Sequence, residues 1–147
     1  MRVLVVGAGA VGGYFGGRLV EKGADVTFLV REPRQKQLQL GGLVIHSVKG
    51  DTSSPVHTIV AGDAHEPFDL IILTTKAYHL ETVLPTITPY VGENSAILPL
   101  LNGIAHFDIL KNYFGTEKII GGLCFIESTL NAEGEVEHYS PQHRVVF

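Results

Sequence analysis

Val3-Leu4-Val5-Val6-Gly7-Ala8-Gly9-Ala10-Val11-Gly12 carries a short apolar run directly into a glycine turn. A helix-compatible stretch follows to Lys22 and closes at Gly23; a second apolar run, Val26-Thr27-Phe28-Leu29-Val30, then ends at Arg31. Strand, glycine turn, helix and strand, in that order, open a dinucleotide-binding unit. The glycine spacing alone is a weak signal. Here it follows a strand, opens a helix, and the next strand ends at the expected distance.

Each glycine of the fingerprint answers a separate physical need. Gly7 lets the chain turn sharply off the strand, Gly9 leaves room for a pyrophosphate to approach the backbone, and Gly12 allows close helix–strand packing. The helix start then offers unpaired N–H groups and the positive end of a dipole. Gly13, Gly16 and Gly17 add to this a demand for close packing along the same helix. The alternative is a tight loop with no ligand, but so many glycines cost helix stability, which points to a ligand or a crowded backbone.

A chain of 147 residues with 45% hydrophobic and 18% charged residues suits one globular domain with a proper core. A formal charge of −4 and the lack of a basic block argue against nucleic acid as a partner. Cys124 is the one cysteine, so no internal disulfide is available, and its apolar surroundings predict a buried, inert thiol. The start does not have the form of a signal peptide, and no stretch approaches a membrane span. A cytoplasmic protein is the default expectation.

Further along, Glu32-Pro33 starts a short helix over Gln35 to Leu40. Leu43 to Val48 and Val56 to Val60 are predicted strands, with the turn-rich Lys49 to Ser54 between them making a hairpin. Phe68 to Thr74 is a continuous apolar strand. Ala77 to Leu84 is helical, interrupted or ended by Pro85 and Pro89. Ala96 to Leu101 is a strand, Ile104 to Tyr113 an amphipathic helix, and Ile119 to Ile126 a strand. Asn131 to Gly134 turns into Glu135 to Tyr139, and Val145 to Phe147 begins another strand. The alternation predicts a Rossmann-like, doubly wound α/β fold: a mostly parallel sheet with helices on both faces.

Such sheets bind ligands beyond the carboxyl ends of their strands. That rule gathers Gly7, Arg31, Lys76 and Asn102 at one crevice. A strand-end acid that would bond a ribose 2′-OH is missing at Val30-Arg31. A guanidinium instead pairs with a 2′-phosphate, so NADP(H) is favoured over NAD(H). Arg34 or Lys36 could add charge. Arg31 as a plain exposed residue, Lys76 as a solvated lysine and Asn102 as a turn or helix-cap residue are the bland alternatives. His46, His57, His65, His79 and His106 are scattered, and His138 and His143 flank Pro141 without a companion cysteine. No metal site is predicted, and the histidines are expected at the surface or at strand edges. There is no Gly-x-Ser-x-Gly, P-loop or His-Glu-x-x-His motif.

Val5 to Gly12, Arg31, Leu73-Thr74-Thr75-Lys76-Ala77-Tyr78, Leu101-Asn102-Gly103-Ile104 and Ala132 to His138 together resemble the N-terminal half of the ketopantoate reductases (2-dehydropantoate 2-reductases). The resemblance implies NADPH-dependent reduction of 2-dehydropantoate to pantoate, on the route to pantothenate and coenzyme A. It implies that Gly7, Ala8, Gly9, Ala10, Val11 and Gly12 hold the pyrophosphate and Arg31 the 2′-phosphate. Lys76 and Asn102 would lie near the nicotinamide ribose and the substrate, as auxiliary catalytic groups. In that family the principal general acid and the substrate-carboxylate ligands belong to a second, helical domain. The expectation is therefore that residues 1–147 are an NADP-binding domain whose helical partner lies outside this chain. Ala105-His106 departs from the glycine common in the family, which leaves the 2-oxo acid open. A different NADP-dependent 2-oxo-acid or opine-type dehydrogenase and a non-catalytic NADP-binding module remain alternatives, as does a homo-oligomeric state.

Overall fold

The computed structural model describes residues 1–147. Its chain order is β1 (Arg2–Val6), α1 (Ala10–Glu21), β2 (Asp25–Leu29), α2 (Glu32–Gly41), β3 (Leu43–Ser47), β4 (Thr52–Ser54), β5 (His57–Ile59), β6 (Phe68–Leu73), α3 (Leu80–Ile87), β7 (Val91–Pro99), α4 (Ala105–Phe114), β8 (Leu123–Leu130) and β9 (Val136–Val146). Five strands form a parallel sheet in the order β5-β2-β1-β6-β7. The order reverses at β1, whose neighbours β2 and β6 lie on either side. The switch point expected of a doubly wound sheet is thus at the ends of β1 and β6.

Strand alternation divides the core. Val3, Val5, Val26 and Phe28 face one side of the sheet with Tyr14 of α1. Leu4, Val6, Ile71 and Leu73 face the other, with Leu84 of α3 and Leu110 of α4. Helices therefore cover both faces, as predicted. No helix is long and apolar enough to cross a membrane.

A second sheet, in the order β4-β3-β9-β8, packs on the far side of α1 and was not foreseen. It explains the glycines of that helix. A Cβ at Gly16 would strike the Phe28 ring of the parallel sheet at 2.5 Å, whereas a Cβ at Gly17 would strike Ile45 Cδ1 of the second sheet at 2.6 Å. The helix is pressed between two sheets, and only hydrogen atoms fit at its contact points.

Several boundaries differ from expectation, some of them because this second sheet recruits the residues. The hairpin exists, but Leu43–Ser47 pairs with Thr52–Ser54; His57–Ile59 instead adds in parallel to β2. The apolar run 119–126 divides at Gly121-Gly122. Ile119 bridges to Ile97 in the first sheet, while β8 joins the second. Segments 135–139 and 145–147 are one strand, β9, antiparallel to β8. A large bulge between Ser128↔His138 and Ile126↔His143 absorbs Pro141. Pro85 does not end α3, which runs to Ile87; the forfeited bond is the one to the carbonyl of exposed Glu81. β7 begins at Val91 rather than Ala96 and stops at Pro99.

Candidate functional site

The glycine turn sits at the switch point. Gly7 has φ +96°, a conformation that strains any side chain, and its amide bonds the Leu29 carbonyl at 2.9 Å. A Cβ on Gly12 would collide with the Gly7 carbonyl oxygen and the Thr74 hydroxyl, so this glycine fixes how tightly α1 abuts β1. Gly9 is the opposite case: a Cβ there meets nothing within 4 Å. Open space over a turn that needs no side chain for packing fits a ligand approaching the backbone. Gly9 caps α1 without a side-chain bond, and the first helical bond runs from Gly13 N to Gly9 O at 2.8 Å. The amides of Ala10, Val11 and Gly12 therefore precede the hydrogen-bonded ladder, available to an anion.

Two clefts flank the turn. The first, of about 300 Å³, is lined by Gly7, Val30, Arg31, Thr75, His79 and Val83 among others, and no carboxylate lines it. Arg31, the cap residue of α2, is exposed and pairs with no carboxylate of the protein. The second, of about 270 Å³, contains Val11, Thr75, Lys76, Asn102, Cys124 and Ile126. Lys76 and Asn102, on different strand ends, thus do share a cleft, and both are exposed. Asn102 is not a helix cap: Ile104 occupies the cap position of α4, with no side-chain bond. Glycine turn, unpaired guanidinium and paired clefts form a set that fits a dinucleotide stretched across the switch point.

Three sequence expectations change. Arg34 is not a free charge. Its Nε and Nη2 donate to the Ala8 carbonyl at 3.1 and 2.8 Å and its Nη1 to the Gly134 carbonyl at 2.7 Å; burial holds its pKa below the usual guanidinium range. Cys124 is half-buried, not buried, and lies in the second cleft; burial pushes its thiol up, which keeps it protonated. Two histidines are interior, not peripheral: His106 and His138, 4% and 3% exposed. His138 Nδ1 bonds the Ser47 hydroxyl at 2.7 Å and its Nε2 the Gln142 carbonyl at 2.8 Å. The β9 bulge then brings His143 Nδ1 to within 2.6 Å of the Tyr14 hydroxyl on α1.

Sequence reasoning missed Thr75, Cys124 and His79 as cleft residues. Thr75 and His79 lie immediately around Lys76, after an apolar strand, so the strand-end rule that found Lys76 extended to them. Cys124 carried no such signal, because its position depends on β8 crossing to a second sheet.

Comparison with known proteins bears on this site. The family model described as "Ketopantoate reductase PanE/ApbA" matches residues 3–147. The "Uncharacterized oxidoreductase YkpB" of Bacillus subtilis is 52% identical over 147 residues, all of this chain and 48% of that protein. Among solved structures, 2-dehydropantoate 2-reductase of Geobacter metallireducens superposes with a TM-score of 0.91 at 36% identity, covering 99% of this chain and 48% of that one. A ternary structure of D-mandelate dehydrogenase with NADH and anilino(oxo)acetate superposes at 0.86 with 28% identity, covering 95% and 46%. The chain spans about half the length of the curated relatives it matches.

Proposed function

The chain belongs to the ketopantoate reductase family, PanE/ApbA, and on that premise we propose that residues 1–147 are the cofactor-binding half of a cytoplasmic, NADPH-dependent reductase of a small 2-oxo acid. The substrate is 2-dehydropantoate, reduced to pantoate for pantothenate synthesis. The observation that carries the NADPH choice is Arg31, unpaired on the wall of a cleft lined by no carboxylate. A guanidinium offers two parallel donors to a 2′-phosphate, and no nearby acid repels it.

When bound, the reduced nicotinamide supplies a hydride to the ketone carbon. The chain's own groups bind and orient. The amides of Ala10, Val11 and Gly12 take the diphosphate, and Arg31, on the wall of the first cleft, takes the 2′-phosphate. In the second cleft Lys76 and Asn102 present donors, suited to a ribose hydroxyl and to the oxygen of a 2-oxo acid. Lys76 is exposed and no carboxylate lines its cleft; its role on this reading is the auxiliary one of polarising the ketone oxygen. The principal proton donor, and the ligands for the substrate carboxylate, on the same reading lie in a helical domain outside residues 1–147.

The likeness to D-mandelate dehydrogenase with NADH favours one alternative, a reductase of an aromatic 2-oxo acid that uses NADH. Residues 1–147 and a two-domain protein, each assayed for NADPH and NADH oxidation with 2-dehydropantoate and with phenylglyoxylate, separate the readings. The expected result is activity only in the two-domain protein, with NADPH and 2-dehydropantoate. General acid catalysis alone is worth roughly 10²–10⁴-fold, so full activity from residues 1–147 would refute the half-site account.

A further inference from the structure

Adjacent threonines at the end of β6 have opposite fates. Thr74 turns its hydroxyl back to the β1 end, donating to the Val6 carbonyl at 2.8 Å. The Thr75 hydroxyl is buried and has no hydrogen-bond partner in the protein. Only two other buried side-chain atoms share that condition, Arg18 Nε and His106 Nε2, and neither residue borders the first or second cleft. Thr75 borders both.

Buried polar groups normally find partners, because an unpaired one forfeits its hydration with no return. A hydroxyl both donates and accepts. Thr75 is the residue that lines both the Arg31 cleft and the Lys76–Asn102 cleft, so a molecule filling both passes beside it. We infer that Thr75 is a binding residue for the middle of the dinucleotide: its Oγ1 bonds an oxygen of the diphosphate–ribose segment linking the two clefts. This rests on the dinucleotide reading of the clefts, and it adds a contact from the end of β6 to those of the glycine-turn amides.

Two consequences separate a ligand-facing hydroxyl from a structural one. Thr75→Val keeps the shape and removes only the hydroxyl, so it leaves the unliganded protein as stable as the parent or more stable. The same variant weakens only those ligands that contain the central segment.

The experiment is calorimetric titration of the parent, Thr75→Val and Thr75→Ser with NADPH, 2′-phospho-ADP-ribose and 2′,5′-ADP, together with urea unfolding of each unliganded protein. The last ligand carries the adenosine half without the diphosphate link. Expected is a loss of about three- to tenfold in affinity for NADPH and 2′-phospho-ADP-ribose in Thr75→Val. Binding of 2′,5′-ADP is unchanged, Thr75→Ser recovers most of the loss, and unfolding stability is not lowered. Parental NADPH affinity in Thr75→Val overturns the assignment. So does an equal loss for 2′,5′-ADP, or an affinity loss that accompanies lowered stability. If the parent binds none of the three ligands, the dinucleotide reading itself falls, and this contact with it.

Discussion

Arg34 clasps the carbonyl oxygen of Ala8, with Nε at 3.1 Å and Nη2 at 2.8 Å, from the first turn of α2. Ala8 lies between the two glycines that shape the turn. The same guanidinium reaches the Gly134 carbonyl at 2.7 Å in the link between β8 and β9. One side chain thereby ties the glycine turn, α2 and the second sheet together.

Replacing Arg34 by Ala strands two carbonyl acceptors in a half-buried setting. The expected loss is about 1.5–3 kcal/mol of folding stability, measured by equilibrium denaturant unfolding. Arg34→Lys restores only part, since an ammonium cannot reproduce the fork. Unchanged stability in Arg34→Ala would show that the clasp is not a structural tie.

Gly9 and Gly12 are expected to fail differently. Gly9→Val has room for its side chain and an extended backbone, φ −83° and ψ −156°, so it folds; it should nevertheless lose NADPH binding, because the branched side chain fills the space above the turn. Gly12→Val drives its Cβ into the Gly7 carbonyl and should lower the unfolding midpoint. Circular dichroism melts and cofactor titration of both variants decide this. A folded Gly9→Val that binds at parental strength would contradict the role given to the turn.

The parallel sheet and its crevice were legible in the sequence because both rest on local signals. Val3 to Gly12 encodes a strand, a turn and a helix start without reference to anything distant. The strand-end rule then placed Arg31, Lys76 and Asn102 beside the clefts they border. The second sheet was not legible. Its central pairing, Ile45↔Val136, joins residues far apart in the chain, and parallel pairing leaves no turn signature. Gly13, Gly16 and Gly17 hinted at a crowded helix, but not at what crowds it. Arg34 was misread for a related reason: its acceptors are backbone carbonyls, which every residue has, so no side-chain pattern announces the contact.

His106 gives a pH-dependent cost with a definite sign. It is buried without a partner for Nε2, and burial lowers its pKa below the ordinary histidine value of 6.5. The unfolded chain takes up this proton at higher pH than the folded one. Stability at this site is therefore intact above about pH 6.5 and is lost as pH falls through the unfolded and then the folded pKa. His106→Leu should flatten that part of the stability–pH curve while retaining the fold. If urea midpoints of the parent and His106→Leu fall in parallel below pH 6.5, another group carries the acid sensitivity.

The side chains of Lys76 and Asn102 are exposed and make no hydrogen bond within the protein. In an active, two-domain reductase, Lys76→Ala and Asn102→Ala should lower turnover or raise KM with thermal stability unchanged. Steady-state kinetics beside thermal melts test this, and parental kinetics in both variants would remove the second cleft from the catalytic centre.

The central claim is that this crevice takes NADPH through Arg31, and its most direct test is calorimetric titration of the parent and Arg31→Ala with NADPH and NADH. The expected result is tighter binding of NADPH by the parent, and a loss of about 1.5–3 kcal/mol for NADPH in Arg31→Ala. Affinity for NADH should scarcely change, because the missing contact is to a phosphate that NADH lacks. Equal affinity of the parent for the two cofactors, or an Arg31→Ala variant that weakens both alike, would contradict the account.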